Sequence, residues 1–211
     1  RINKWLTDLT KKHYIHQIYS KTFGENTKPA IYYLANNSIS ILKSNPNVTP
    51  ERLVKVYKER GRSNRFIGHC LRVADVCIQL SKAIQATNKK LFFYAKTELL
   101  DHDYLLKPAP DAYIALEHGK TTQRYFLDLF DDETPRFALR KRIHDYIAYA
   151  ESGEWEEATS NPFPNVLLVL PTKPLLSYVT KLIATLREEN DFPFAFKLCT
   201  TAQILELETF L

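Results

Sequence analysis

The 211-residue chain is 45% hydrophobic and 12% aromatic, which is ample for a packed core and excludes an intrinsically disordered protein. It has no apolar run of the roughly 20 residues that a membrane-spanning helix needs, so a membrane partner is not expected. The 29 lysines and arginines exceed the 24 acidic residues and give a formal charge of +5. This modest excess favours an anionic partner such as nucleic acid, although a basic balance alone does not identify one.

The cysteines indicate the redox compartment of the protein, and the first residue indicates whether the given chain is a fragment. Cys70 and Cys77 are seven residues apart in a helical pattern, so we expect them to share a buried face, and Cys199 stands alone. This usage is typical of a reduced, cytoplasmic protein rather than of a disulfide framework. The chain begins at Arg1 and contains no methionine, so we expect a fragment with residues missing before Arg1.

The first predicted element is a helix with basic residues on its surface. Trp5, Leu6 and Leu9 recur at helical spacing. The rest of the helix surface carries three lysines, Lys4, Lys11 and Lys12.

The stretch PAIYYLANNSISIL predicts a β-hairpin. Its two strand-like runs are Ala30–Leu34 and Ile39–Leu42, and Asn36-Asn37 lies between them. Asparagine tolerates the positive φ that a tight hairpin turn requires. A basic helix followed by a hairpin is the order of a winged helix, whose helix enters a major groove while the wing touches the DNA backbone. An ordinary helix and hairpin with solvated lysines explains the pattern equally well.

A linker and a short helix are predicted between two domains. The segment SNPNVTP has the proline and asparagine content of a linker, and Glu51–Arg60 forms a charged helix that Gly61 ends. We therefore expect one domain over residues 1–44, the linker and helix over residues 45–62, and a second domain over residues 63–211.

The longest helical pattern covers Ser63–Thr87. Its apolar residues form so broad an arc that we expect a largely buried helix. A narrow polar strip remains on its surface, made of Arg65, His69, Arg72, Asp75 and Gln79. We expect His69, at the border of this strip, to be a hydrogen-bonded packing residue rather than a ligand.

The remainder of the chain predicts a mixed sheet with helices on its faces, a fold of the α/β (mixed α+β) class. In chain order the elements are a strand at Leu91–Ala95, a hairpin around Gly119, a helix that Gly153 ends, a strand at Val166–Leu170, a helix at Lys173–Arg187, a strand at Phe194–Leu198 and a closing helix or arm at Thr201–Leu211. The run VLLVL is continuously apolar, so we expect a central parallel strand that is covered on both faces.

Two carboxylates in the predicted hairpin form the candidate site. Pro110-Asp111 stands at the entrance to the first strand, and Asp128 lies among the apolar residues of the second. Burying a carboxylate is costly unless a metal ion or hydrogen-bond donors compensate it. Two paired acids with a basic helix behind them are typical of a divalent-metal phosphodiesterase core, whether active or degenerate. In a degenerate core, we expect Arg140 or Arg142 of that helix to pair with Asp128.

In their order and spacing these motifs resemble the replication-relaxation family of bacterial plasmids and integrative elements. The resemblance covers nearly the whole chain and includes the hairpin PAIYYLANNSISIL and the strand VLLVL. The other residues that carry it are His69, Leu71, Val73, Asp75, Glu98, Pro110-Asp111, Asp128, Arg142 and Tyr146. The family implies a winged helix, truncated here, that is joined to a domain similar to the restriction-endonuclease-like fold.

Active nucleases of that fold carry the pattern P-D followed by D/E-x-K. The resemblance therefore implies that Asp111 and Asp128 bind a metal ion, Mg²⁺ or Mn²⁺, if the site is active. Phe130 stands in place of the lysine that positions and polarises the attacking water. Lys141 or Arg142 of the following helix is the basic group that the sequence offers instead. The loss of the lysine favours a degenerate, DNA-binding domain over an active enzyme.

The expected function is that of a DNA-binding protein of a mobile element, acting in replication initiation, DNA relaxation or mobilisation. Its expected partners are double-stranded DNA and a relaxase or replication protein. The residues expected to contact DNA are Lys4, Lys11, Lys12, Arg140 and Arg142. One alternative is an Mg²⁺-dependent endonuclease or nickase with Asp111, Asp128 and Lys141 as catalytic residues. The other is a protein-interaction module that docks a replication or transfer enzyme.

Overall fold

The computed structural model describes residues 1–46, 48, 50, 53–54, 56, 61–85 and 87–204. The chain divides into two compact units, Arg1–Phe66 and Ile67–Leu211. The fold is mixed α+β, as predicted, with a five-stranded mixed sheet in the second unit. Within the described part of the chain, no helix is long and apolar enough to cross a membrane.

The first unit contains a helix, a two-stranded sheet and a short helix. Helix α1 (Ile2–Lys11) precedes strands β1 (Ile15–Ile18) and β2 (Ile31–Leu34), and helix α2 (Ser38–Leu42) follows them. The two strands pair in antiparallel register. The predicted first helix is confirmed, and none of its residues is buried.

The predicted hairpin within residues 30–42 is wrong. Strand β2 pairs with β1 instead, and the second predicted strand, Ile39–Leu42, belongs to helix α2. Alternating serine and isoleucine suggested a strand, in which Ile39 and Ile41 would share a face. Burial follows helical spacing, because Ile39 is buried, Leu42 packs beside it, and Ile41 is 56% exposed.

A small apolar cluster explains which face of α2 turns inward. Ile39 packs in it with Leu53 and Val56, both of which are buried. These two residues fall within the predicted helix Glu51–Arg60, most of which lies outside the described residues.

Helix α3 (Asn64–Ile84) confirms the longest predicted helix, but it is less buried than expected. Its buried residues are Val76 and Leu80. Leu71 and Ile78 are 43% and 50% exposed, so the prediction of a largely buried helix is wrong. The prediction that Cys70 packs in a core is also wrong, because its side chain is exposed. One face of a sheet buries only one stripe of a helix, whatever the width of its apolar arc.

The second unit is built on five strands that lie side by side in chain order. They are β3 (Lys90–Ala95), β4 (Ala112–His118), β5 (Thr121–Leu129), β6 (Asn165–Leu170) and β7 (Phe196–Thr200). Strands β3, β4 and β5 are antiparallel, whereas β5, β6 and β7 are parallel. The predicted hairpin turns at Gly119, whose φ of +61° is the left-handed conformation that glycine adopts most readily.

Four helices accompany these strands, and the sequence predicted the second and the fourth of them. They are α4 (Lys96–Leu99), α5 (Arg136–Ser152), α6 (Glu154–Thr159) and α7 (Lys173–Glu189). Helix α5 ends at Gly153, and α7 begins where the Thr172 hydroxyl accepts the Leu175 N–H. Beyond β7 the described residues stop at Ile204, so most of the predicted closing segment Thr201–Leu211 lies outside them.

Side chains alternate between the two faces of the sheet along each strand, and an apolar cluster lies on each face. On one face Phe126 and Leu168 pack with Ile143 of α5. On the other face Leu167 packs with Val76 of α3. Because adjacent residues of β6 belong to different clusters, the predicted coverage of VLLVL on both faces is confirmed.

The helical assignment of α2 has a measurable consequence. We expect Ile39→Ala to lower the free energy of unfolding of the first unit by about 2–4 kcal/mol, because it leaves a cavity. We expect Ile41→Ala to change it by less than about 0.5 kcal/mol, because that side chain is mostly exposed. Urea denaturation followed by circular dichroism measures both variants. Equal losses would contradict the helix, since a strand places both isoleucines on one face.

Candidate functional site

The two candidate aspartates are neighbours on adjacent strands. The ladder between β4 and β5 ends where Ala112 pairs with Leu127, so Asp111 and Asp128 lie just beyond its last pair. The Asp111 N–H donates to the Leu127 carbonyl at 2.9 Å and to Oδ1 of Asp128 at 3.2 Å. The hairpin register therefore brings together two acids that lie 17 residues apart in the chain.

The Asp128 carboxylate is buried among donors from α5. Nε of Arg142 donates to Oδ2 of Asp128, and Nη2 donates to Oδ1 at 3.2 Å, which makes a two-point ion pair. The Tyr146 hydroxyl donates to Oδ2 at 2.8 Å and accepts from Nη2 of Arg142 at 3.1 Å. Nη1 of Arg142 donates to the Pro108 carbonyl at 2.7 Å. Arg142 and Tyr146 are four residues apart, so they lie on one face of the helix.

Burial and ion pairing shift the pKa values of Asp128 and Arg142 in opposite directions. Burial raises the pKa of the Asp128 carboxyl, while the Arg142 guanidinium and the Tyr146 hydroxyl oppose that rise. Burial would lower the pKa of Arg142, but the Asp128 carboxylate outweighs it and raises that pKa, so the arginine remains charged. Burial, and then the nearby Asp128, raise the pKa of Tyr146 well above its usual value. The phenol therefore keeps the proton that it donates.

The Asp111 carboxylate contacts a different set of residues. Its Oδ2 accepts the Leu129 N–H at 2.9 Å. Its Oδ1 lies 2.9 Å from Nε2 of His69 on α3 and 3.9 Å from Nζ of Lys96, the first residue of α4. The His69 and Lys96 side chains are 27% and 45% exposed, so solvent reaches this end of the acid pair. Asp128 thus faces α5, and Asp111 faces α3 on the other side of the sheet.

These contacts do not suit a divalent metal ion held by both aspartates. A carboxylate has about four acceptor positions, and those of Asp128 are taken by Asp111, by Arg142 twice and by Tyr146. A cation would also be repelled by the charged Arg142. No group of three or more His, Cys, Asp or Glu side chains in the described ranges could hold a metal. Phe130 packs against the apolar cluster on the α5 face.

The other predicted site residues do not join the aspartates. Lys141 is exposed and donates to both carboxylate oxygens of Asp145 at 2.8 Å, because it lies one helical step away from the inward face. Arg142 is the partner of Asp128 and is buried, so it does not lie at the surface, whereas Arg140 is exposed. The first unit contains the three exposed lysines Lys4, Lys11 and Lys12.

Sequence reasoning missed Lys96 altogether and did not foresee the partner of His69. Strand β3 pairs with β4 so that Ala95 lies opposite Ala112, and the Lys96 N–H donates to the Asp111 carbonyl at 2.8 Å. The register between these strands would have indicated Lys96, but no residue pattern specifies that register. The polar strip of α3 indicated the face on which His69 lies, and the tertiary structure supplied Asp111.

The fold and the site define a two-unit protein with a mixed sheet, in which an arginine from a helix neutralises one of two paired acids. The family model described as replication-relaxation matches residues 1–166 of the 211. The chain belongs to the replication-relaxation family, as its motifs predicted, and its role is related to replication and relaxation. No curated protein and no solved structure matches it.

Because Arg142 and Asp128 form a buried ion pair, removing only the arginine is expected to destabilise the protein strongly. We expect Arg142→Met to lower the free energy of unfolding by about 3–5 kcal/mol, because the buried Asp128 carboxylate loses its counter-charge. Adding Asp128→Asn is expected to recover part of the loss, since an amide needs no cation. Urea denaturation of the single and double variants measures the difference. A double variant less stable than Arg142→Met would contradict this account.

The loss in Arg142→Met is also expected to depend on pH. Without Arg142, burial raises the pKa of Asp128 further. A carboxyl whose pKa is higher in the folded than in the unfolded chain adds stability as the pH falls through its folded-state pKa. The deficit relative to the unmodified protein should therefore be smaller at about pH 5 than at about pH 7. Urea denaturation at the two pH values measures it, and a constant deficit would refute the explanation.

Proposed function

We propose that this protein binds double-stranded DNA through its first unit, as part of the replication, relaxation or mobilisation of a bacterial plasmid or integrative element. The distribution of charge carries the proposal. Residues 1–44 contain seven lysines and arginines against two acidic residues, an excess equal to the +5 of the whole chain. Residues 45–211 hold equal numbers of basic and acidic residues. A DNA backbone attracts an excess that is concentrated in this way.

Helix α1 and the ribbon that follows it have the order of a winged helix. Lys4 and Lys11 are exposed and lie two turns apart on one face of α1. The antiparallel strands β1 and β2 follow, joined by residues 19–30, which are largely exposed. In such a module the helix enters a groove and the ribbon touches the backbone. The wing that we propose is therefore β1 and β2.

We propose that the second unit is a degenerate relative of the restriction-endonuclease-like domains. Asp111 and Asp128 lie side by side, as the P-D and D/E-x-K pattern requires. Arg142 takes the place that a metal ion would have beside Asp128, and Phe130 replaces the lysine. The unit then serves to position the first unit or to dock a relaxase or replication protein, with the exposed Arg140 as a further DNA contact.

The DNA proposal predicts the effect of removing two charges from α1. We expect Lys4→Ala combined with Lys11→Ala to weaken duplex binding about tenfold and to reduce the salt slope by about 2, because each lysine neutralises one phosphate. Fluorescence anisotropy of a labelled duplex over a range of salt concentrations measures both quantities.

A matched control removes the same charge from the second unit. Lys173 and Lys181 are exposed on α7, and replacing both by alanine is expected to leave duplex affinity nearly unchanged. Equal weakening by the two double variants would refute the role of α1. Failure of the unmodified protein to bind any duplex would refute the proposal as a whole.

A metal-dependent endonuclease is the second candidate, because Asp111 and Asp128 are adjacent. Its test is incubation of supercoiled plasmid with the protein, with and without Mn²⁺. We expect no metal-dependent nicking, since the acceptor positions of Asp128 are occupied. Nicking that requires Mn²⁺ and disappears in both Asp111→Ala and Asp128→Ala would overturn the degenerate assignment.

A further inference from the structure

A cavity of about 330 Å³ lies beside α3 in the second unit. Its polar lining comes from Arg72, Asp75, Gln79 and Thr201, and its apolar lining from Val76, Leu129 and Ile204. Small-molecule sites have volumes of about 300–1,000 Å³ and combine apolar walls with a few polar groups. The cavity has the size and composition of a small ligand site.

Arg72 lines this cavity and has a pair of unsatisfied donors. Its Nε and Nη2 atoms are buried, and neither has a hydrogen-bond partner in the part of the chain that the structure describes. In any arginine, these two atoms form one edge of the guanidinium, and their N–H groups can bind two oxygens of one anion side by side. Arg142 uses the same two atoms to hold the Asp128 carboxylate. Because buried donors without acceptors are costly, the Arg72 edge indicates a site for an anion.

The position of the cavity in the fold also favours a ligand. Leu129 is the last residue of β5, and Thr201 directly follows β7, so the cavity lies at the carboxyl ends of parallel strands. Ligands of open sheets bind outside the carboxyl ends of such strands. The polar strip of α3 lines this region, with His69 beside Asp111 and Arg72 one turn further along the helix.

We propose that the cavity binds a phosphate group on the guanidinium of Arg72, whose Nε and Nη2 have no other partner in the described residues, with a further oxygen near the donors of Gln79 and Thr201. A tetrahedral phosphate suits this lining better than a carboxylate, because it keeps oxygens for the other donors after two have bound the arginine. Where the phosphate belongs to nucleic acid, the inference deepens the proposed function and rests on it. Binding of a free phosphate group does not require that function.

Asp75 tunes the affinity of this site. It also lines the cavity, but it is exposed and provides no hydrogen bond to the buried Nε and Nη2 of Arg72. Its carboxylate repels a bound phosphate, so Asp75→Asn strengthens phosphate binding. If Arg72 instead served only as a structural partner of Asp75, this substitution would not raise the affinity.

The test is to titrate the full chain with inorganic phosphate at constant ionic strength and to measure the binding by isothermal titration calorimetry. We expect Arg72→Gln to weaken binding at least about tenfold and Asp75→Asn to strengthen it several-fold, while Lys181→Ala serves as the control for lost surface charge. Circular dichroism checks that Arg72→Gln is folded, and the phosphate affinity of Asp75→Asn is a second measurement that does not depend on that variant. Unchanged binding in Arg72→Gln, no phosphate binding by the unmodified protein, or equal binding of acetate would overturn the proposal.

Two single-stranded oligonucleotides that differ only in a 5′ phosphate identify the source of the group. They are titrated into the Lys4→Ala and Lys11→Ala double variant, in which the first unit binds DNA weakly. Preference for the phosphorylated strand that is lost with Arg72→Gln supports the proposal and identifies a strand end. Equal binding of the two strands, with Arg72-dependent binding of inorganic phosphate, supports it and identifies a free phosphate ester. The phosphate titration contains no DNA, so its outcome is independent of the proposed DNA binding.

Discussion

The buried ion pair between Arg142 and Asp128 is the interaction on which the arrangement of the second unit depends. It joins strand β5, in the middle of the sheet, to helix α5, and Nη1 of Arg142 extends the link to the Pro108 carbonyl ahead of β4. A charge pair is tolerated in an interior only when its remaining hydrogen-bonding positions are also satisfied. Tyr146 and the Asp111 N–H complete the acceptor positions of Asp128, which is why both acids can lie beside an apolar cluster.

The same ion pair determines how the buried member of the two acids is neutralised. Asp111 and Asp128 are adjacent at the end of the β4–β5 hairpin, but Asp128 is held by Arg142 and Tyr146. Here Arg142 supplies, as part of the protein, the positive charge that a metal would bring. This arginine neutralises the buried acid and joins helix α5 to strand β5. The partly exposed polar groups beside the acids are His69 and Lys96, which contact Asp111.

Local patterns succeeded where the partner of a segment lies next to it in the chain. The hairpin around Gly119 and the helix that ends at Gly153 were predictable because turn residues and helical spacing act within a few residues. The hairpin within residues 30–42 was mispredicted because Ser38–Leu42 satisfies both a strand and a helix pattern over so short a run. The burial of α3 was overestimated because an apolar arc shows which side chains could be covered and not how much surface is present to cover them.

The sequence by itself determined the mixed α+β class, the family, the pair Asp111 and Asp128, and the choice of Arg140 or Arg142 as the partner of the buried acid. These follow from short-range periodicity, from turn chemistry and from the high cost of an uncompensated carboxylate. Only the tertiary structure decided that Arg142 is the partner, that His69 and Lys96 reach Asp111, and that Arg72 lines a cavity with two of its donors unsatisfied. The physical reason is that these contacts join segments far apart in the chain, and strand register and helix rotation are set by packing of the whole sheet.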